Sequence, residues 1–258
     1  MVEQLFHPAR SAARRPITST LVALAAAGLL SAARPATAQS TGMPAAAKED
    51  IELPHPFFTH MGLPEGAGVF NLRTLGLATR ADGRTDGDFA FHLETGLTRL
   101  IGLHIRNDRF LDRPRTEAMF QFAAFVSKDG MSGFAPLIEF EVPTRSGVGS
   151  RVHTLVGFTS TIGGRRAVFN QVLHYNPRED GVDASAALVL QLSPRVFPVV
   201  EVLGEGARGA QTVVNLLVGL KVRLREWVHL GLAVQFPLTS AKDFSWQGAF
   251  GPDVEWKR

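Results

Sequence analysis

The sequence predicts an all-β fold, and within that class an up-and-down antiparallel transmembrane β-barrel of about 12 strands with short periplasmic turns and longer outer loops. Three observations predict it. Apolar residues recur at every second position through most of the chain beyond Val69. The connections between these runs alternate between short and long. The chain opens on an export signal and closes on an alternating aromatic strand.

Residues 1–38 read as a secretory signal. Arg10, Arg14 and Arg15 give a basic start, "ITSTLVALAAAGLLSAA" is the apolar stretch, and "ATA" ending at Ala38 is a small-x-small cleavage site. Arg14-Arg15 raises a twin-arginine route, but Pro16-Ile17-Thr18 matches it poorly. Four Arg and one Glu of the 27 basic and 24 acidic residues lie in this segment, so 23 of each remain in the mature chain. No basic tract is left to track phosphates, so nucleic acid is not an expected partner. The chain has no cysteine, so neither disulfides nor thiol chemistry contribute.

Residues 39–66 are rich in Ala, Pro and Gly and lack strand periodicity. They read as an irregular leader ahead of a barrel domain over 67–258. "HPFFTHMG" places His55 and His60 in this leader. A metal pair is one reading and a polar leader docked at the barrel mouth is the other.

Twelve strands follow, at 68–80, 88–98, 100–108, 116–127, 133–143, 152–161, 165–175, 184–193, 196–203, 212–224, 227–238 and 243–256. "TVVNLLVGLKVRLREWVHLGLAVQFPL" shows the pattern best. Val214, Leu216, Val218, Leu220 and Val222 share one parity; after a turn at Arg225-Glu226-Trp227 it resumes as Val228, Leu230, Leu232, Val234 and Phe236. Asn215, Gly219, Lys221, Arg223, His229, Gly231 and Gln235 take the other parity. "DFAFHLETGL", "LIGLHIR" and "FAPLIEFEV" repeat this, while 68–80 and 165–175 alternate poorly. Tight connections at 98–100, 162–164, 193–195 and 225–227 intersperse with longer ones at 81–87, 107–116, 145–150, 176–183 and 204–211; "SKDGMSG" is long where a short turn is expected.

An apolar face of this kind meets either lipid or a soluble core. If it meets lipid, every backbone polar group must be paired within the sheet, which requires a closed barrel. An Arg or Lys on the lipid face would cost roughly 2–4 kcal/mol at mid-depth, so charge on the opposite parity favours lipid. The lumen-lining set is then His92, Glu94, His104, Arg106, Glu139, Glu141, Glu201, Asn215, Lys221, Arg223, His229 and Gln235. Phe125, Leu137, Leu155, Val189, Val199, Leu203, Val213 and Leu217 fall on the same inward parity, giving a mixed wall suited to a narrow, packed or substrate-binding interior rather than a general pore. Glu201 is the expected partner of Lys221 and Arg223, which would either influence anion entry near the short-turn end or brace the barrel through buried ion pairs. A secreted soluble β-barrel binding protein is the alternative.

The last strand carries Phe244, Trp246, Phe250, Val254 and Trp256 on one parity. It resembles the closing strand of bacterial outer-membrane barrels, though Lys257 and Arg258 follow and Pro252 interrupts it. With the signal and the meander of strands, the layout resembles small outer-membrane proteins described as transporters, including the MetA-like group associated with phenol-degradation pathways. That resemblance implies passage or binding of small, hydrophobic or aromatic molecules. It also implies contact with outer-membrane lipid and the barrel-assembly machinery. A structural barrel is a second class and a barrel hydrolase a third. Ser160, Ser185 and Ser245 show no paired base motif, and the glycines of "GEGARG" do not join a strand to a helix. His92, His104 and His229 with Glu94 could form a lumen cluster that binds metal or shuttles protons; ordinary lumen-lining polarity is the plainer reading, and no catalytic residue, metal or cofactor is expected.

Overall fold

The computed structural model describes residues 53–111, 115–143 and 152–258. The signal segment with its cleavage site, the leader before residue 53 and the 145–150 connection lie outside the described residues. The strands are β1 (Val69–Ala81), β2 (Arg84–Gly96), β3 (Ile101–Asn107), β4 (Arg115–Phe122), β5 (Phe125–Val126), β6 (Gly133–Pro143), β7 (His153–Gly164), β8 (Ala167–Asn176), β9 (Gly181–Leu190), β10 (Val196–Ala207), β11 (Val213–Arg225), β12 (Val228–Pro237) and β13 (Trp246–Lys257). Each pairs antiparallel with its neighbour, and β1 pairs with β13. The sheet is therefore a closed barrel of 12 long strands, with the two-residue β5 extending β4 along β6. Closure leaves no open edge.

The outward parity is apolar across strand after strand. Leu220 faces Leu232, Leu232 faces Phe250, and Phe250 continues through Gly76 to Phe89. Val218, Leu232 and Phe250 are each at least half exposed on the protein alone, a row whose apolar contacts only lipid would supply. Near the short-turn end Phe70 on β1 stacks on Trp256 of β13, with ring centroids 5.5 Å apart. Trp256 thus occupies the closing-strand aromatic position.

Three expectations change. The connection expected over 81–87 is a two-residue turn. Asp82 and Gly83 both have positive φ, 46° and 79°, the geometry in which Asp-Gly joins tightly twisted hairpin strands, so β2 starts at Arg84. The hairpin of β11 and β12 turns on Glu226 and Trp227, and a register shift between Arg223 and Arg225 supplies the third residue that keeps the parity of both strands. Phe125 faces outward and is 61% exposed. Gln121 pairs with Leu137 but Phe125 pairs with Phe134, so β4–β5 has one residue more than β6 across the break. The break lies opposite Pro136, which has no N–H to give to the ladder, and the extra residue reverses the inward parity.

From Leu53 to Gly66 the chain forms no strand. It does not rest at the barrel mouth: Phe57, Thr59 and His60 are 0–2% exposed. The segment enters the lumen from the short-turn end, reaches its deepest point at Phe57–His60, and returns through Gly66 to β1.

Candidate functional site in the barrel lumen

The wall pairs the backbone of this lumen segment through its side chains. Glu201 on β10 is fully buried. Its carboxylate accepts the Phe57 amide, the Phe58 amide at 3.0 Å and the Thr59 amide at 2.8 Å, and the Thr59 hydroxyl at 2.9 Å. Asn170 on β8 accepts the Gly62 amide at 3.1 Å. The carbonyls are met in turn. Arg73 and Lys221 donate to Pro56, Arg106 to Phe58, Gln121 to Met61 and Thr159 to Gly62. A non-repeating backbone can stay dry only when its polar groups are satisfied in this way.

The wall is also shaped for the segment. A Cβ at Gly219 would lie 2.5 Å from the Phe57 ring, and one at Gly231 would lie 2.7 Å from it. A Cβ at Gly133 would lie 2.6 Å from Leu63, and one at Gly102 would lie 3.1 Å from Pro64. These inward glycines form a seat that any larger residue would fill. Phe57 in that seat packs in one core cluster with Leu75, Leu77, Phe197, Val199 and Leu217, and the Lys221 ammonium sits 5.1 Å from its ring centroid.

Of the residues expected on the lumen side, His92, Glu94, His104, Glu139, Glu201, Lys221, His229 and Gln235 are buried, and Arg106, Glu141, Asn215 and Arg223 are partly buried, in distinct layers. In the layer toward the short-turn end Lys221 bonds Asp253 at 2.7 Å, and Asn71 reaches the same carboxylate at 2.7 Å. Lys221 is therefore not held by Glu201, because the lumen segment takes that carboxylate and Asp253 stands nearer. Arg223 instead lies against His229 at 3.2 Å and over the Phe197 ring. Neither cation stands free to meet an incoming anion. Deeper in, Arg73 binds Glu94 at 2.8 Å and His92 at 2.8 Å, and His92 reaches Asp108. Arg106 pairs with Glu117.

His60 enters a group of buried rings. Its Nδ1 is 3.2 Å from His104 Nδ1, which is 3.6 Å from Glu94 Oε2; His174 lies beyond, 3.7 Å from Glu139. His55 lies between Glu65 at 3.0 Å and Glu94 at 3.3 Å. Burial opposes charge on His55, but Glu65 and Glu94 outweigh it and hold the ring well above its usual range. His60 goes the other way: burial, with Arg106 and His104 nearby, holds it well below.

The segment separates two cavities. The one toward the longer loops is about 590 Å³ and is lined by Asn215 and Gln235 together with seven carboxylates, among them Asp108, Glu117, Glu141 and Asp183, against Arg106, Arg109 and Arg115. The one at the short-turn end is about 950 Å³, bounded by Leu53, Leu63, Pro64, Met131 and Leu192.

A 12-strand barrel with this topology has relatives among solved structures. A KdgM porin, solved in complex with disordered oligogalacturonate, superposes with a TM-score of 0.50 at 8% identity, over 74% of this chain and 99% of that one. This is the fold of an outer-membrane barrel. Salmonella typhi OmpF, solved with daunomycin, matches over 73% of this chain and 97% of that one at 7% identity and a TM-score of 0.39. No family model and no curated protein matches the sequence.

Arg73, Asn170, His174 and Asp253 were not among the expected lumen residues. Asp253 was accessible to parity, since it alternates with Val254 and Trp256. Arg73 was hidden because β1 alternates poorly: Leu75 and Leu77 are buried in the same apolar cluster as Phe57. Asn170 and His174 lie on β8, the other poorly alternating strand.

Proposed function

We propose that this chain is an outer-membrane barrel that passes small polar solutes passively, with residues 53–66 as its own plug. The observation that carries this reading is the seat itself: one buried carboxylate receives three consecutive amides of the segment, over inward glycines that leave room for nothing else. A permanently solid barrel would fill that space with wall side chains, as small barrels do. A segment that is no part of the sheet, seated by hydrogen bonds and by Phe57 in a glycine-lined hollow with a cavity on each side, is suited to dock and undock. The charged loop-side cavity favours polar solutes, and cations over anions, above the aromatic cargo that a MetA-like layout would imply. Export through the signal and delivery to the outer membrane by the assembly machinery belong to the same proposal, and no step of it requires catalysis.

The test is conductance and uptake by the full mature protein in planar bilayers and liposomes. Expected are long closed periods broken by openings whose reversal potential favours cations. A protein that neither conducts nor admits small solutes, even with the plug weakened, would instead be a structural barrel.

A further inference from the structure

The histidine cluster at the plug tip is more than a set of contacts. Among its buried atoms, Glu94 Oε2, which lies 3.3 Å from His55 Nδ1 and 3.6 Å from His104 Nδ1, makes no well-formed hydrogen bond. Such a group is costly when left unpaired, about 1–3 kcal/mol, and a buried carboxylate oxygen beside imidazole nitrogens points to a missing electrophile. The spacing says which kind. Zinc–nitrogen bonds of 2.0–2.1 Å in a tetrahedral site place neighbouring ligand atoms about 3.4 Å apart. His60 Nδ1 and His104 Nδ1 are 3.2 Å apart, and His104 Nδ1 and Glu94 Oε2 are 3.6 Å apart. The three ligand atoms lie within 4.8 Å of one another.

We infer that His60 of the plug, with His104 on β3 and Glu94 on β2, forms a binding site for one divalent transition-metal ion of the zinc type. Two imidazoles and a carboxylate, with no thiolate, suit zinc, cobalt, nickel or copper rather than calcium or magnesium. Glu94 is already turned as a ligand must be. Arg73 binds its Oε1 at 2.8 Å, an outer partner fixing a ligand, which leaves Oε2 beside His55 at 3.3 Å and His104 at 3.6 Å. One ligand comes from the segment and two from the wall, so a bound ion clips the plug into the lumen. The inference rests on the docked position of residues 53–66 and is independent of whether the barrel conducts.

The measurement is metal binding by the full protein folded in detergent, stripped with a chelator and titrated with Co²⁺, followed by competition with Zn²⁺. The expected result is one Co²⁺ per chain with the visible absorption of a tetrahedral nitrogen–oxygen site, displaced by Zn²⁺. His60→Ala, which alters only the plug and leaves the wall intact, weakens binding by about 100-fold or more, beyond the 10–100-fold that loss of an outer partner costs. His104→Ala does the same, and His174→Ala leaves binding within a few-fold of the wild type. If His104→Ala fails to assemble, judged by loss of the heat-dependent gel shift, His60→Ala decides alone. No tetrahedral Co²⁺ spectrum, or equal binding by the wild type and His60→Ala, overturns the site. Loss in His174→Ala but not in His104→Ala overturns the ligand assignment.

Discussion

Glu201 Oε2 stands 2.8 Å from the Thr59 amide nitrogen and 2.9 Å from the Thr59 hydroxyl, so one buried carboxylate on the barrel wall anchors the deepest turn of the lumen segment. Hydrogen bonds to a charged group contribute about 1.5–3 kcal/mol. Glu201→Gln keeps the shape and removes the charge. The expected outcome is plug docking weakened by roughly that amount, which corresponds to a 10- to 150-fold gain in open-channel probability, read from single-channel records. The barrel itself still shifts on an unheated gel.

Gly231 and Phe57 are coupled by shape. A side chain at Gly231 must displace a ring 2.7 Å from its first carbon. Gly231→Leu is expected to expel the plug tip while the barrel assembles, and Phe57→Ala should relieve much of the effect. A double-mutant cycle on plug protection from protease should return a coupling of about 0.5–3 kcal/mol, the range for residues in contact.

The two faces of β11 predict opposite tolerance. Val218 is half exposed on the outer face, and Asn215 lines the loop-side cavity. Val218→Arg places charge against hydrocarbon and should cost roughly 2–4 kcal/mol at mid-depth, visible as a lower urea midpoint for unfolding in lipid vesicles. Asn215→Arg should unfold near the wild-type midpoint and shift ion preference toward anions.

The docked plug, stripped of metal, should respond to pH from both sides. His55, held up by Glu65 and Glu94 against the cost of burial, favours the docked state fully below the free-histidine value of about 6.5, and this contribution is lost as pH rises through the higher docked value. His60, held down by burial beside Arg106, His104 and His174, disfavours docking once pH falls below about 6.5, where the released ring gains a proton that the docked ring refuses. Open probability should therefore pass through a minimum near neutral pH. His55→Gln should remove the alkaline rise and leave the acid rise.

The sequence carried the sheet more clearly than the plug, for a physical reason. Wall residues repeat every second position because lipid and lumen impose opposite polarity on successive side chains. Thus the hairpin of β11 and β12 was legible to within a residue or two. Leu53–Gly66 has no repeat, since its backbone groups are met by Glu201, Asn170, Gln121 and Thr159, residues more than 50 positions away in the chain. The trace it leaves lies in its hosts. Gly219 and Gly231 hold inward positions where a solid wall would carry side chains, and Leu75 and Leu77 break the alternation of β1 because they are buried in the apolar cluster that holds Phe57. Phe125 was misplaced because one added residue opposite Pro136 reverses parity, and no period reveals an insertion of one.

The central claim, that residues 53–66 fill the lumen, is tested most directly by a single thiol in this cysteine-free chain. Thr59→Cys places a near-isosteric thiol at a position with no solvent exposure, and Gly130→Cys places one in the turn after β5 at the short-turn end. With the full protein folded in detergent, a soluble maleimide should modify Gly130→Cys promptly and Thr59→Cys at least about tenfold more slowly, with protection lost when Glu201→Gln is added, since 1.4 kcal/mol of docking is a factor of ten in exposure. Modification of Thr59→Cys at the rate of Gly130→Cys, in a barrel that still shows its heat-dependent gel shift, would contradict the account.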